Sequence, residues 1–229
     1  MRLYLNAFVD LLFPRVCSAC SETLASGEEI LCTSCRFALP RTDSHQTGDT
    51  RIAEKFYGKV ELASAHAYLK FSKGSSVQRL LHALKYRNQP GVGQILGKLY
   101  GAELRQAGRY DDGDLIIPVP LHRAKLRQRQ YNQSDCFAEG LSEAMQIPWS
   151  PTVLRKKKAT DSQTRKSRFE RFQNVNEIFQ VTDPAQIQGK TLILVDDVVT
   201  TGATLESAAR VLLGSGAQSV HVLTIATAL

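Results

Sequence analysis

The sequence predicts an α/β fold, a parallel sheet flanked by helices, behind a small N-terminal module built on four cysteines. Three observations carry that expectation. Strand-like and helix-like segments alternate from Asp114 onward. TLILVDD, residues 191–197, is apolar enough to be buried on both faces of a sheet, as parallel strands are. The cysteines fall as Cys17-x2-Cys20-x11-Cys32-x2-Cys35, a pair of knuckles.

Taken in order, Arg2–Phe13 presents one apolar helical face and is stopped by Pro14. Asn6 and Asp10 interrupt it, so it lacks the continuous apolar stretch and small-residue cleavage site of a secretory leader. No apolar run approaches the ~20 residues of a membrane span, and the expected location is the cytoplasm. The cysteine module runs to about Pro40, and RTDSHQTGDTR (41–51) reads as a linker. The expected domains are therefore 1–48 and 49–229, with 51–110 a candidate hood and 111–229 the core.

VELASAHAYLKF (60–71) has the content of one or two strands, while 75–86 and 91–106 carry helical periodicity. DLIIPV forms a short buried strand, 132–145 a helix, and 152–154 a further short strand. After 191–197 come a helix over 204–213, its stop at GSGA, and a last strand in SVHVLTIATAL. This β-α-β…β-α-β order argues a parallel, helix-covered sheet.

Paired CxxC knuckles in a chain expected to be cytosolic favour a metal over disulfides. Cys17, Cys20, Cys32 and Cys35 would complete a tetrahedral four-thiolate zinc site. Such a site has no open position, so the zinc is expected to be structural; a redox or disulfide role is the alternative. Cys136, within DCFAEGLSEAM, is read as a small core residue.

Net charge is +7, and residues 121–171 hold 12 Lys/Arg against 5 Asp/Glu, while the remainder has 17 of each sign. All the excess lies in one stretch, as a surface for phosphates or a nucleic-acid backbone would require; a solvated basic face is the plainer reading. Lys156, Lys157, Lys158, Arg165, Lys166 and Arg168 are the candidate DNA contacts. Tyr131, Phe169 and Phe172 are interleaved aromatics that would stack on bases, with core packing the alternative for the two phenylalanines.

Residues 193–204, ILVDDVVTTGAT, end a buried strand in two acids and continue into a Thr/Gly turn before a helix. In a parallel sheet, ligands bind beyond the carboxyl ends of the strands. Backbone N–H groups at the helix start, with the helix dipole, hold a phosphate. Gly202 removes the Cβ that would block close approach, and the threonines add hydroxyl donors. Asp196 and Asp197 accept hydrogen bonds from vicinal hydroxyls or hold Mg²⁺ through water. Together these describe a pocket for a phosphorylated sugar. No GxxxxGK[ST] occurs, which excludes a Walker-type NTPase.

LVDDVVTTGAT (194–204) resembles the phosphoribosyl-pyrophosphate (PRPP) motif of the type I phosphoribosyltransferases. The resemblance implies a phosphoribosyltransferase-like sheet and a PRPP site over Asp196, Asp197, Val198, Val199, Thr200, Thr201, Gly202, Ala203 and Thr204. The acids would take the ribose hydroxyls, and Thr200 to Thr204 the 5′-phosphate. A four-Cys module after LLFP, then HALKYRNQP (82–90), then IPVPLHRAKLRQRQYNQS (117–134), resembles the ComF family of competence proteins over nearly the whole chain. That likeness places a pyrophosphate loop at Pro120, Leu121 and His122, with Arg123, Arg127 and Arg129 near the anion and Mg²⁺ accompanying PRPP. It sets 157–168 at the position of a closing loop. Gln130 stands where the family usually has Gly before its aromatic-Asn-Gln, and Arg165-Lys166 where an apolar residue tends to follow Gln163-Thr164.

The implied role is natural transformation, acting on incoming single-stranded DNA beside a helicase and a DNA-loading protein. The alternative is an active phosphoribosyltransferase in nucleotide or base metabolism, whose acceptor is not legible because only one strand follows the motif helix. Tyr86, between Lys85 and Arg87, is read as a core residue, with a lid or stacking role as the alternative.

Overall fold

The computed structural model describes residues 14–157 and 178–228. Arg2–Phe13, Lys158, Arg165, Lys166, Arg168, Phe169 and Phe172 lie outside the described residues.

Among the described residues, two short helices, α1 (Thr33–Phe37) and α2 (Ser44–Thr47), precede a central sheet of four strands: β1 (Ser64–Lys70), β2 (Leu115–Pro118), β5 (Thr191–Val199) and β6 (Ser219–Thr227). Their order is β1-β6-β5-β2 and every pairing is parallel. Alternation along β5 divides the core. Ile193 and Val195 join a cluster with residues of α3 (Ser76–Tyr86), α4 (Gly91–Gln106) and α6 (Gln133–Met145). Leu192 and Leu194 join a second cluster with α7 (Ala203–Gly214), Ile52 and Phe56. A strand buried on both faces has no polar side to show, which is why TLILV reads as an unbroken apolar run.

The segment set apart as a candidate hood supplies β1, paired along its length with β6, and the two helices α3 and α4. Of the one or two strands expected in 60–71, one forms, over 64–70. The strand expected at 152–154 is shifted: β3 covers Leu154–Lys156 and pairs antiparallel with β4 (Phe179–Val181), outside the parallel sheet. Three residues carry too little periodicity to reveal their partner. A short helix, α5 (Arg123–Arg129), follows the β2 exit and was not anticipated.

Helix α6 is held against α4 by glycines. Gly93, Gly97 and Gly101 recur every fourth residue on α4, and a Cβ at Gly97 would stand 2.8 Å from Leu141 N and 2.9 Å from Gly140 Cα. Only glycine permits that backbone approach, and it fixes where the first turn of α6 meets the sheet.

The cysteine module shares this core. Cys17, Ala19, Leu24, Leu31 and Leu39 are buried in the same cluster as α3 and α4. Ser18 Oγ donates to Gln89 Oε1 at 2.8 Å, and Arg79 Nε donates to the Ala19 carbonyl. Arg41 Nε meets Glu103 Oε1 at 2.8 Å, which also accepts from Tyr68 Oη at 3.1 Å. Among the described residues, no helix is long and apolar enough to cross a membrane.

Candidate functional site

The carboxyl end of β5 opens into a cleft of about 210 Å³ between the β2 exit loop, the first turn of α6 and β3. Among the described residues, its walls carry four cationic side chains, Lys85, Lys125, Arg129 and Lys156, against two acids, Asp196 and Asp197. It continues into a smaller recess of about 50 Å³ lined by Asp196 and the turn from Val198 to Leu205.

The two acids are held differently. Asp196 Oδ1 accepts from Ser134 Oγ and from the Asp197 backbone N–H, each at 2.8 Å. Burial, and then the charge of Asp197, push its carboxyl up to about 7, against the opposing influence of those donors and of Lys85. Asp197 Oδ2 meets Lys85 Nζ at 2.9 Å. The site thus pairs one buried acid raised toward neutrality, Asp196, with one carboxylate compensated by a lysine, Asp197.

Beyond the acids, Gly202 caps α7 at φ +82°, with Phe56 packed beneath it: an added Cβ would lie 2.9 Å from Phe56 Cε1. Thr200, Thr201, Ala203 and Thr204 are exposed around the buried Gly202. The first backbone N–H groups of α7 have no helical acceptor. An anion in the recess therefore meets N–H donors, hydroxyls and a positive dipole end. Helix α7 begins one residue before its expected start, because Gly202 takes the cap position.

On the opposite wall, Pro120 and Leu121 line the cleft. His122 caps α5, its Nδ1 accepting from Ala124 N at 3.3 Å. Of the three arginines placed near the anion, only Arg129 lines the cleft; Arg123 and Arg127 are exposed on α5 and are not among its walls. Lys125 lines it instead. Lys156, placed by sequence among DNA contacts, also faces this cleft, half-buried, with its amine 5.5 Å from the Phe179 ring centre. Burial lowers its pKa, and Lys125 lowers it further, against the favourable charge of Asp196. Lys157 closes onto Ile178 through a 2.9 Å backbone hydrogen bond.

Several residues of the site escaped the sequence reading. Lys85 and Ser134 reach the acids from chain positions 112 and 62 residues away, and no local pattern announces such pairings. Gln133 is 1% exposed and lines the cleft; its Oε1 accepts from Arg129 Nη1 at 2.8 Å, while its Nε2 has no partner among the described residues. Asn132 Nδ2 ties the Val119 carbonyl (3.0 Å) to Asp135 Oδ1 (2.6 Å), fastening the β2 exit to α6.

Two aromatic readings are corrected or narrowed. Tyr86 is 64% exposed at the end of α3, so it is not a core residue; Lys85 and Leu84 take the inward positions of that turn. Tyr131 is half-buried, packs against the core and donates its hydroxyl to the Leu84 carbonyl. Gln130 adopts φ +66°, the left-handed conformation that a glycine takes without strain. Cys136 is buried on α6, as expected.

In the N-terminal module, the four Sγ atoms of Cys17, Cys20, Cys32 and Cys35 all lie within 4.8 Å of one another and could hold a metal ion. Cys20 and Cys32 Sγ are 3.8 Å apart. Backbone N–H groups of Ala19 and Cys32 point at Cys17 Sγ, at 3.4 and 3.3 Å, and Cys35 N points at Cys32 Sγ at 3.4 Å. Burial acts to raise the Cys17 thiol, but those donors prevail and bring it down to about 7. Cys17 therefore favours thiolate, whereas burial and the neighbouring thiols push the Cys35 thiol well up.

A family model described as the phosphoribosyl transferase domain matches residues 134–229. The DNA utilization protein YhgH of Escherichia coli O157:H7 is 31% identical over 210 residues, covering 90% of this chain and 88% of its own. Competence protein F of Haemophilus influenzae is 31% identical over 153 residues, 65% of this chain and 67% of its own.

The chain belongs to the ComF family. Among solved structures, this ComF-family chain is similar to a glutamine PRPP amidotransferase from B. subtilis, at 22% identity and a TM-score of 0.45, over 63% of this chain and 30% of that one. Its sheet, flanking helices and motif position are those of a phosphoribosyltransferase fold.

Proposed function

We propose that this chain is a competence protein that handles incoming single-stranded DNA and binds PRPP with Mg²⁺ on a phosphoribosyltransferase fold. The observation that carries the reading is the acid pair at the β5 end facing a cationic cleft, with a phosphate-sized recess beside it. Asp196 and Asp197 take the ribose hydroxyls, the turn from Thr200 to Thr204 takes the 5′-phosphate, and Pro120, Leu121 and Arg129 face the pyrophosphate. Mg²⁺ enters with PRPP, for which the two carboxylates supply the hard oxygen donors it prefers. Zinc in the four-cysteine cluster is structural: a Zn–S bond of ~2.3 Å in a tetrahedron sets sulfurs ~3.8 Å apart, the Cys20–Cys32 separation. The names of the E. coli and H. influenzae relatives support the DNA role.

An active transferase is the second reading, supported by the intact acid pair and turn. In that reaction an acceptor nitrogen bonds to the anomeric carbon as pyrophosphate leaves, and the cleft's cations stabilise the departing charge. Calorimetric titration with PRPP and Mg²⁺ tests the sugar-phosphate half: the wild type binds and Asp196→Asn does not. No heat from the wild type refutes it. DNA affinity that falls steeply with salt supports the other half. Unchanged affinity after charge reversal at Lys156 and Lys157 removes them from the DNA surface.

A further inference from the structure

The cysteine knuckle and the acid pair lie on two sides of one helix. Helix α3 carries Arg79 near its start and Lys85 near its end. Six residues of helix are about 9 Å of rise and about one and two-thirds turns, so the two side chains leave it in different directions. Arg79 Nε donates to the carbonyl of Ala19, between Cys17 and Cys20, and Lys85 Nζ meets Asp197 Oδ2 at 2.9 Å. We propose that Arg79 and Gln89 are positioning residues: through them, metal in the four-cysteine cluster seats α3 and so holds Lys85 on Asp197. The proposal rests on reading the cluster as a zinc site, and its consequence for ligand binding rests on reading the cleft as a phosphosugar site.

The knuckle grips α3 at both ends. Ala19 N points at Cys17 Sγ at 3.4 Å while its carbonyl accepts from Arg79, so one residue touches both a thiol and the helix. The same guanidinium donates from Nη1 to the Gly74 carbonyl at 3.0 Å, which ties the loop ahead of α3 into the contact. Beyond the far end of the helix, Ser18 Oγ donates to Gln89 Oε1 at 2.8 Å. Lys85 lies between these two tethers. On the inner face, Val77, Leu80, Leu81 and Leu84 share a cluster with Cys17 and Ala19. Packing this dense transmits a displacement rather than absorbing it.

Metal gives the knuckle a fixed shape to grip with. Residues 17–20 are too few to hold a backbone by burial alone, and four thiolates drawn to one ion fix it. Without the ion, sulfurs as close as the 3.8 Å between Cys20 and Cys32 lose the centre that gathers them. Ser18 and Ala19 then shift, α3 loses both tethers, and Lys85, itself partly exposed, leaves Asp197. Lys98 is an internal reference: it sits on α4 and meets Glu143 of α6 at 2.8 Å.

Acetylation rates of individual lysines, read by mass spectrometry, test this in zinc-loaded wild type, in wild type stripped by a chelator, in Arg79→Ala and in Arg79→Lys. Lys85 should react about threefold faster in Arg79→Ala and in the stripped protein, the scale on which a partly exposed ion pair holds an amine. Lys98 should keep its rate, and Arg79→Lys, which retains a donor for Ala19, should stay near wild type. Lys85 matching wild type in Arg79→Ala overturns the proposal. So does a joint rise of Lys85 and Lys98 in that variant, which means general loosening; its four cysteines are intact, so it decides the helix link by itself. Selective exposure of Lys85 in the stripped protein assigns the link to the metal, and a Lys85 that stays protected there overturns that assignment. Titration with PRPP and Mg²⁺ separates the readings: Arg79→Ala should bind about threefold more weakly than wild type. No binding by wild type, with Lys85 still responding, removes the phosphosugar assignment and leaves the link standing.

Discussion

Asp196→Asn should make the protein more stable while removing phosphosugar binding. The Asp196 carboxyl is raised from 3.8 to about 7, by burial first and by Asp197 second. A folded pKa above the unfolded one means that the folded chain binds more protons between the two values. The contribution of Asp196 to stability is therefore greatest below about 3.8 and is lost as pH rises through 7. Roughly three pH units at 1.36 kcal/mol each give about 4 kcal/mol at pH 8. The carboxylate keeps contact with solvent on the cleft side, so we halve this to about 2 kcal/mol. Asparagine keeps the same shape, and its Oδ1 still accepts from Ser134 and the Asp197 N–H while carrying no charge. For a chain of this length, about 2 kcal/mol moves Tm by ~4–8 °C. Thermal melts of both proteins at pH 8 and pH 5 are the assay. The variant should melt higher at pH 8, with the gap shrinking by more than half at pH 5. A variant melting at or below wild type at pH 8, or a gap that does not shrink, refutes the assignment of a strained acid.

Gly97→Ala puts a methyl against the backbone of Leu141 and Gly140, which cannot yield as a side chain would; urea melts should show a loss of ~1–3 kcal/mol. Gln130→Gly relieves a left-handed glutamine; after the glycine's greater unfolded-state entropy, a gain of about 0.5 kcal/mol in the denaturation midpoint is expected. Metal analysis should give one zinc per wild-type chain and none for Cys32→Ser, with a lower melting temperature, because the knuckles share the core of α3 and α4. A Cys32→Ser protein that keeps full metal and Tm would remove the cluster from that role.

The motif at 194–204 and the cysteine spacing were legible because each is a local device. A strand end, a turn and a helix start follow one another in the chain, and a knuckle is four residues long. Their chemistry is present wherever they fold. The partners of those devices were not legible. Lys85 meets Asp197, Ser134 meets Asp196, and β1 lies beside β6 through parallel contacts between distant segments. Parallel pairing has no turn to announce it, and a lysine on a helix has the same pattern whether it faces water or an acid.

Tyr86 shows the same limit from the other side. Its place in an apolar-periodic helix suggested the core, but it falls one step past the buried stripe of Leu80, Leu81 and Leu84, where rotation of the helix decides exposure. The sequence by itself determined the fold class, the acid–turn pair and the thiol set, because covalent order places those groups together. Only the tertiary structure decided which cations face the acids and which aromatic stands open to solvent. Those outcomes depend on how α3 and α6 settle on the sheet, and the close glycine contact of α4 with α6 sets the depth of α6 there.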